Sequence, residues 1–100
     1  MNQNSPSEMA CLHITVSGRV QGVGFRAFVA QSAGYMNLTG WVRNVGYDQV
    51  EVMAEGARPV LEKFLNTVKT GPRPAHVDAS HEEWLSATGE FDRFTVRSSR

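Results

Sequence analysis

The stretch from Gly18 to Arg26 constrains this chain more than any other. It reads Gly-Arg-Val-Gln-Gly-Val-Gly-Phe-Arg and lies between an alternating, strand-like pattern and a helical one. Glycine adopts positive φ angles at little cost, so such a loop can turn its backbone N–H groups inward. Where the loop begins a helix, these N–H groups and the helix dipole together form an anion site. The pattern therefore predicts a cradle for an oxyanion, with phosphate as the expected ligand.

Arg26 adds a charged side chain to this predicted cradle. Its guanidinium presents a planar fork of donors that matches phosphate and carboxylate oxygens. A cation at the beginning of a helix is disfavoured by the helix dipole, and a bound anion would relieve that conflict. We therefore interpret Arg26 as a ligand-binding residue.

Two known nucleotide-binding motifs can be compared with this loop, and neither fits it. Gly22-Val-Gly24-Phe-Arg-Ala27 has the spacing of a dinucleotide-binding fingerprint, but Val42 and Arg43 stand where the ribose-binding acid should follow. The loop is not followed by Gly-Lys-Ser/Thr, which excludes a nucleotide-triphosphate P-loop.

The loop is the first of several motifs that resemble the acylphosphatase family. The other matching pieces are Gly40-Trp41-Val42-Arg43-Asn44, Val50 to Gly56, and Gly71-Pro72 with Ala75 and Val77. The resemblance covers roughly Cys11 to Arg97, most of one domain of ordinary size. The family usually has Asp-Gly in the turn before the third strand. This chain has Tyr47-Asp48, which predicts a less regular turn.

The resemblance implies hydrolysis of acyl phosphates to a carboxylate and inorganic phosphate. It implies that Arg26 binds the phosphoryl group and that Asn44 orients the attacking water. It also implies further phosphoryl contacts from the backbone N–H groups of Gln21, Gly22, Val23, Gly24 and Phe25. An acyl phosphate releases a carboxylate with a pKa of about 4, so its leaving group needs no protonation. This agrees with a sequence that offers no evident nucleophile with a base, no carboxylate pair and no metal cluster. We expect no metal and no cofactor.

The periodicity of apolar residues predicts an α+β fold. The predicted strands are Cys11–Ser17, Thr39–Val45, Val50–Glu55, Ala75–Leu85 and Phe91–Arg97, and the predicted helices run from about Gly22 to Gly34–Asn37 and from Ala57 to Thr70. This order is the split β-α-β arrangement of ferredoxin-like folds, with two helices on one face of an antiparallel sheet. Right-handed crossovers place the first and third strands side by side. The resemblance then implies that the glycine loop and Asn44 lie at the same end of the sheet.

Other polar residues offer weaker candidates. His13 is interpreted as a half-exposed strand residue, because no acid lies near it in the sequence. His76, Asp78 and His81 have a spacing that a metal site could use. With two histidines and no cysteine among them, a solvated strand face is the better interpretation. Arg19 is interpreted as a charge on the outside of the loop.

Composition limits the partners. Ten basic and ten acidic residues give a net charge of zero, which argues against a broad surface for nucleic acid or an anionic membrane. The single cysteine, Cys11, cannot form an internal disulfide, which favours a reducing cytoplasm. We expect a polar, disordered tail over residues 1–9 and a single domain over residues 10–100. We also expect a soluble monomer without a membrane span, whose partners are a small acyl phosphate and inorganic phosphate.

Two alternatives remain open. A non-catalytic, phosphate-binding regulatory module would keep the cradle without turnover, although the presence of both Arg26 and Asn44 counts against it. An RNA-binding module can share the predicted topology and binds bases through aromatic residues on its central strands. The predicted central strands of this chain lack the pair of aromatic residues that such modules use. Met53 is the nearest equivalent of a stacking residue there.

Overall fold

The computed structural model describes residues 8–100, so residues 1–7 of the predicted tail lie outside the described part of the chain. Over residues 8–100 the chain forms β1 (Met9–Arg19), α1 (Phe25–Tyr35), β2 (Thr39–Val45), β3 (Gln49–Ala57), α2 (Arg58–Thr70), β4 (His76–Leu85) and β5 (Phe94–Val96). This is the order predicted from the periodicity, with shorter bounds for α1 and β5.

The strands form one sheet in the order β4-β1-β3-β2-β5, so the first and third strands are neighbours as predicted. The pairs β4–β1, β1–β3 and β3–β2 are antiparallel, whereas β2 and β5 run parallel. The sheet is therefore mixed and differs in its last strand from the antiparallel sheet that we predicted. This follows from the topology, because the chain leaves β4 at one edge of the sheet and forms β5 at the other edge. There β5 runs in the direction of β1 and β2.

Both helices pack on one face of the sheet, as predicted, and they also contact each other. The inward-facing residues of the two central strands are fully buried, namely Leu12, Ile14, Val16, Val50, Val52 and Ala54. Phe25 of α1 also enters this core with 1% exposure, and its ring meets Phe28 edge-to-face at a centroid distance of 6.2 Å. Full burial of a side chain of this size stabilises the fold by about 1.5–3 kcal/mol. Neither helix within residues 8–100 has the length and apolar character needed to cross a bilayer.

The turn between β2 and β3 consists of Gly46, Tyr47 and Asp48. Gly46 has a left-handed φ of 59°, a conformation that glycine adopts without a steric penalty. The antiparallel pairing nevertheless continues regularly to Val45 opposite Gln49. The unusual turn sequence therefore leaves the register beside Asn44 intact.

The opposite face of the sheet carries a connected set of polar residues. Glu51 is bound on both carboxylate oxygens, by the His13 Nε2 atom at 2.7 Å and by the Arg43 Nε–H donor at 2.7 Å. Burial alone would raise the pKa of Glu51, but these two hydrogen bonds hold it below its usual value. The guanidinium groups of Arg43 and Arg97 lie 4.7 and 4.8 Å from the ring centroid of Trp41. His13 thus has an acidic partner, which comes from a neighbouring strand instead of a nearby position in the sequence.

Glu55 is a buried carboxylate on this same face, with only 3% exposure. Its Oε2 atom accepts hydrogen bonds from the N–H and the hydroxyl of Thr88 at 2.9 and 2.8 Å, and its Oε1 atom accepts one from the N–H of Gly89 at 3.0 Å. The alternation correctly placed Glu55 away from the apolar core. The sequence did not reveal that the connection between β4 and β5 covers it. Burial alone would raise the pKa of Glu55, but the hydrogen bonds from Thr88 and Gly89 hold it below its usual value.

We expect Glu55→Gln to lower the free energy of unfolding at pH 7 by about 1–3 kcal/mol, because an amide cannot accept all three bonds from these buried donors. The pKa of Glu55 is lower in the folded protein than in the unfolded chain. Its stabilisation is therefore complete above the usual glutamate pKa of about 4.3 and is lost as the pH falls through the folded-state pKa. Urea unfolding of both proteins at several pH values should show the difference shrinking below about pH 4.

A matched control is Glu62→Gln on the exposed surface of α2, where the carboxylate lies 3.5 Å from the Arg58 Nε atom. Such a pair contributes little, so we expect a change below about 0.5 kcal/mol. If Glu55→Gln destabilised the protein no more than this control, the hydrogen bonds of Glu55 would not stabilise the β4–β5 connection.

Candidate active site

The glycine loop between β1 and α1 uses two left-handed backbone conformations. Gly22 has a φ of 73° and Gly24 a φ of 77°. Apart from the two chain neighbours, a Cβ atom added at either position would meet no described atom within 4 Å, so the backbone angle and not the available space selects glycine. Because these angles do not belong to a right-handed helix, α1 begins at Phe25 and not near Gly22 as predicted.

The first turn of α1 is left without a protein cap. Gly24 occupies the N-cap position and has no side chain to donate or accept, and this turn contains no acidic residue, as far as the described chain extends. The first N–H groups of a helix lack intrahelical partners, and the dipole is positive at this end. An anion in front of Phe25 and Arg26 would satisfy both the free donors and the dipole.

Arg26 is the second residue of α1 and is half-buried. None of the ion pairs formed among residues 8–100 involves it, whereas Arg43 and Arg58 each have a carboxylate partner. The guanidinium thus stands at the positive end of a helix without a counter-charge from the described chain. This is the electrostatic situation that the sequence predicted for an anion-binding arginine.

Asn44 lies on β2 two residues after the fully buried Val42, and therefore on the helix-covered face of the sheet. Its backbone carbonyl accepts a hydrogen bond from the N–H of Arg100 at 2.9 Å, which ties this part of β2 to the segment that follows β5. The adjacent Arg43 points to the opposite face and binds Glu51. Strand alternation thus separates two neighbouring polar residues, and only Asn44 faces the beginning of α1.

These elements surround one pocket with a volume of about 320 Å³. Its lining residues are Val20, Gln21, Gly22, Gly24, Phe25, Arg26, Ala27, Asn44 and Val96. The structure thus brings together all the sequence-predicted site residues except Val23. The side chain of Val23 packs against the core instead, so only its backbone could take part. The pocket lies where β1, β2 and β5 end and α1 begins.

Two features of the pocket had no signal in the sequence. Val96 of β5 lines it while remaining 50% exposed, and it does so because β5 pairs in parallel with β2. The side chain of Gln21 reaches the β2–β3 turn, where its Nε2 atom donates to backbone carbonyls. Both depend on contacts between distant parts of the chain, which a local pattern does not encode.

The remaining candidates lie elsewhere. Arg19 is exposed outside the pocket, as expected for a charge on the outside of the loop. His76 and Asp78 form an exposed ion pair at 3.1 Å. Within residues 8–100, no group of three or more His, Cys, Asp or Glu residues could hold a metal ion. Burial and the nearby Glu55 carboxylate raise the pKa of Cys11 to about 11, so this thiol is a poor nucleophile.

The pocket can therefore bind and orient, but its side chains include no nucleophile with a base. Its polar groups are the guanidinium of Arg26, the carboxamides of Asn44 and Gln21, and backbone N–H donors. Such a set can hold a phosphoryl group and a water molecule for a direct displacement. It suits a substrate whose leaving group departs without a proton.

Comparison with known proteins agrees with this chemistry. A sequence model of the acylphosphatase family matches residues 12–96. An acylphosphatase of Salinibacter ruber is 43% identical over 82 residues, which make up 82% of this chain and 86% of that protein. The family match covers the loop, both helices, β2 to β5, and β1 from Leu12 onwards.

Solved structures give the same result. An acylphosphatase from Coxiella burnetii is similar with a TM-score of 0.84 and 37% identity, over 90% of this chain and 94% of that one. The acylphosphatase from Bacillus subtilis is similar with a TM-score of 0.84 and 36% identity, over 88% of this chain and 98% of that one. The resemblance and the ferredoxin-like fold inferred from the sequence are both confirmed.

Proposed function

This chain belongs to the acylphosphatase family, and we propose that the pocket at the beginning of α1 is where it hydrolyses acyl phosphates. The reaction converts an acyl phosphate and water into a carboxylate and inorganic phosphate. The substrate class is small acyl phosphates, which a pocket of about 320 Å³ can admit.

The phosphoryl group binds to the loop and to Arg26. Free backbone N–H groups at the beginning of α1 donate to its oxygens, and the guanidinium supplies a charge-assisted fork. These donors are fixed before substrate arrives, because Phe25 anchors the helix in the core with 1% exposure. Preorganised donors stabilise charge on the phosphoryl oxygens as the bond to the leaving group loosens.

Asn44 orients the attacking water. A bond forms between the water oxygen and phosphorus while the bond from phosphorus to the acyl oxygen breaks. The electron pair of the broken bond leaves with the carboxylate. One proton of the water stays on the product phosphate and the other passes to solvent. No side chain has to donate a proton, because the carboxylate leaving group has a pKa near 4.

The observation that carries this proposal is the convergence of Arg26, Asn44 and an uncapped helix terminus on one pocket. All three come from one chain, which supports the proposal of a monomer formed by a single domain over residues 10–100. The buried thiol of Cys11 supports a reducing, cytoplasmic location. Size-exclusion chromatography with light scattering tests the monomer directly.

The function is tested by release of inorganic phosphate from benzoyl phosphate, with and without a strong chelator. We expect turnover whose rate is unchanged by chelation, because binding and orientation in this pocket are assigned to protein groups alone. A rate that collapsed on chelation and returned with magnesium would contradict the mechanism.

The same assay decides between the alternatives. Phosphate binding without turnover would support the non-catalytic regulatory module. The RNA-binding alternative predicts salt-dependent binding of single-stranded RNA to the sheet face that the helices leave open. On the central strands, that face carries His13, Thr15, Glu51 and Met53. A carboxylate at its centre disfavours a phosphate backbone.

A further inference from the structure

The side chain of Gln21 connects the phosphate loop to the β2–β3 hairpin. Its Nε2 atom lies 3.3 Å from the carbonyl oxygen of Val45, 3.1 Å from that of Gly46 and 3.0 Å from that of Gln49. A carboxamide has two N–H donors, so three acceptors are served by sharing one of them. The carboxamide donors of Gln21 are thus used within the protein and not on substrate.

The three acceptors belong to the hairpin that begins directly after Asn44. Val45 follows Asn44 directly, and Gln49 is paired with Val45 across the hairpin. The backbone of Gln21, on the other side, belongs to the loop that holds the phosphoryl group. We infer that Gln21 is a positioning residue, whose carboxamide fixes the spacing between the phosphoryl cradle and Asn44. This inference rests on the function proposed above.

Within residues 8–100, two neighbouring hydrogen bonds approach this connection without joining the cradle to the hairpin. The N–H of Gly18 donates to the carbonyl of Asp48 at 3.0 Å, but Gly18 lies at the end of β1, ahead of the cradle. The N–H of Arg100 holds the backbone of Asn44 without contacting the loop. Between Gly18 and α1, the loop contains two glycines with exposed backbone. Gln21 is therefore the tie placed within the cradle itself.

The spacing matters because the water held by Asn44 must approach phosphorus in line with the leaving group. A displacement of about 1 Å between reacting groups can cost about 100-fold in rate. Loss of the Gln21 tie should therefore lower kcat. It should affect phosphate binding much less, because Arg26 and the backbone donors of the cradle are all retained.

The first test is Gln21→Met, which keeps the length and volume of the side chain and removes both donors. We expect kcat on benzoyl phosphate to fall by about 10–100-fold, while the affinity for inorganic phosphate changes by less than about threefold, since ground-state binding is left in place. Gln31→Met, the same change at an exposed position in the middle of α1, is the control and should retain parental kinetics. An unchanged kcat in a folded Gln21→Met protein would overturn the inference.

A double mutant then separates positioning from a general structural effect. If Gln21 acts through Asn44, adding Gln21→Met to Asn44→Ala should cause a further loss of less than about threefold, because the group to be positioned is already absent. Multiplicative losses would overturn the inference. An inactive parent would instead refute the proposed function, so the two failures are distinguishable.

Gln21→Glu provides a variant for the case that Gln21→Met does not fold. An ionised carboxylate faces three carbonyl oxygens and repels them, whereas a protonated carboxyl group can donate one O–H bond. The activity of Gln21→Glu relative to the parent at the same pH should therefore rise as the pH falls towards the usual glutamate pKa of about 4.3. A ratio independent of pH would contradict a donor role for this side chain.

Discussion

Replacement of Arg26 by lysine is expected to lower kcat/KM for benzoyl phosphate by about 100–1000-fold, the usual effect of losing one preorganised donor to developing charge. Lysine keeps the positive charge but replaces a rigid fork by a single ammonium group on a flexible stem. The half-buried guanidinium has no ion-pair partner within residues 8–100, so the change removes no structural salt bridge from that part of the chain. Steady-state kinetics and competitive inhibition by inorganic phosphate measure the effect.

Arg19→Lys is the matched control, because Arg19 belongs to the same loop segment but is exposed and lies outside the pocket. Surface substitutions of this kind change free energies by less than about 0.5 kcal/mol, so its kinetics should stay within about twofold of the parent. A rate near that of the parent for Arg26→Lys would remove Arg26 from the centre of the site.

Asn44→Ala is expected to separate binding from chemistry. The carboxamide is uncharged, so its loss should barely change the affinity for inorganic phosphate, which we assign to Arg26 and the loop donors. Its proposed contact with water develops on the way to the transition state, and the loss should therefore appear in kcat. We expect a decrease of about 100–1000-fold. Calorimetry with phosphate and kinetics on one preparation would measure both quantities.

The control for this variant is Asn66→Ala on the exposed face of α2, which should alter neither quantity. Thermal melting of Asn44→Ala should show a retained fold, because Asn44 is only half-buried. The fully buried residue on this face of β2, Val42, is unchanged. A collapse of phosphate affinity with an unchanged kcat would identify Asn44 as a binding residue. Loss of the fold would make it a structural one.

The fold was predictable where neighbouring residues decide the structure. Alternation along Val50, Val52 and Ala54 identified the buried face of β3, because strand side chains point to alternate sides. Long-range contacts decided what was missed. The parallel pairing of β5 and the burial of Glu55 both result from the path of the chain between β4 and β5, which local periodicity does not determine. The beginning of α1 was placed too early because helical spacing of apolar residues does not register the left-handed Gly24.

The candidate site was predictable to a different extent. The role of the loop and of Arg26 could be inferred from the residues themselves. The glycine content of the loop, the polarity of the helix and a cation at its beginning all indicate an anion-binding site. The role of Asn44 came from the family resemblance alone. The sequence places it 18 residues after Arg26, and only the sheet order brings both to one pocket. Gln21 was assigned to the cradle, but the tie made by its side chain became visible only with the hairpin in place.

Phe25 joins the cradle to the core within a single residue. Its backbone begins the helix at the pocket, while its ring is 1% exposed and meets Phe28 edge-to-face. An excursion that moved its amide by an ångström would have to lift the ring from its packing, against about 1.5–3 kcal/mol of burial. The backbone donor of Phe25 is thus held in place by the packing of the core, and heating should displace it only as that packing is lost. We therefore expect turnover to be lost at the temperature at which this core melts.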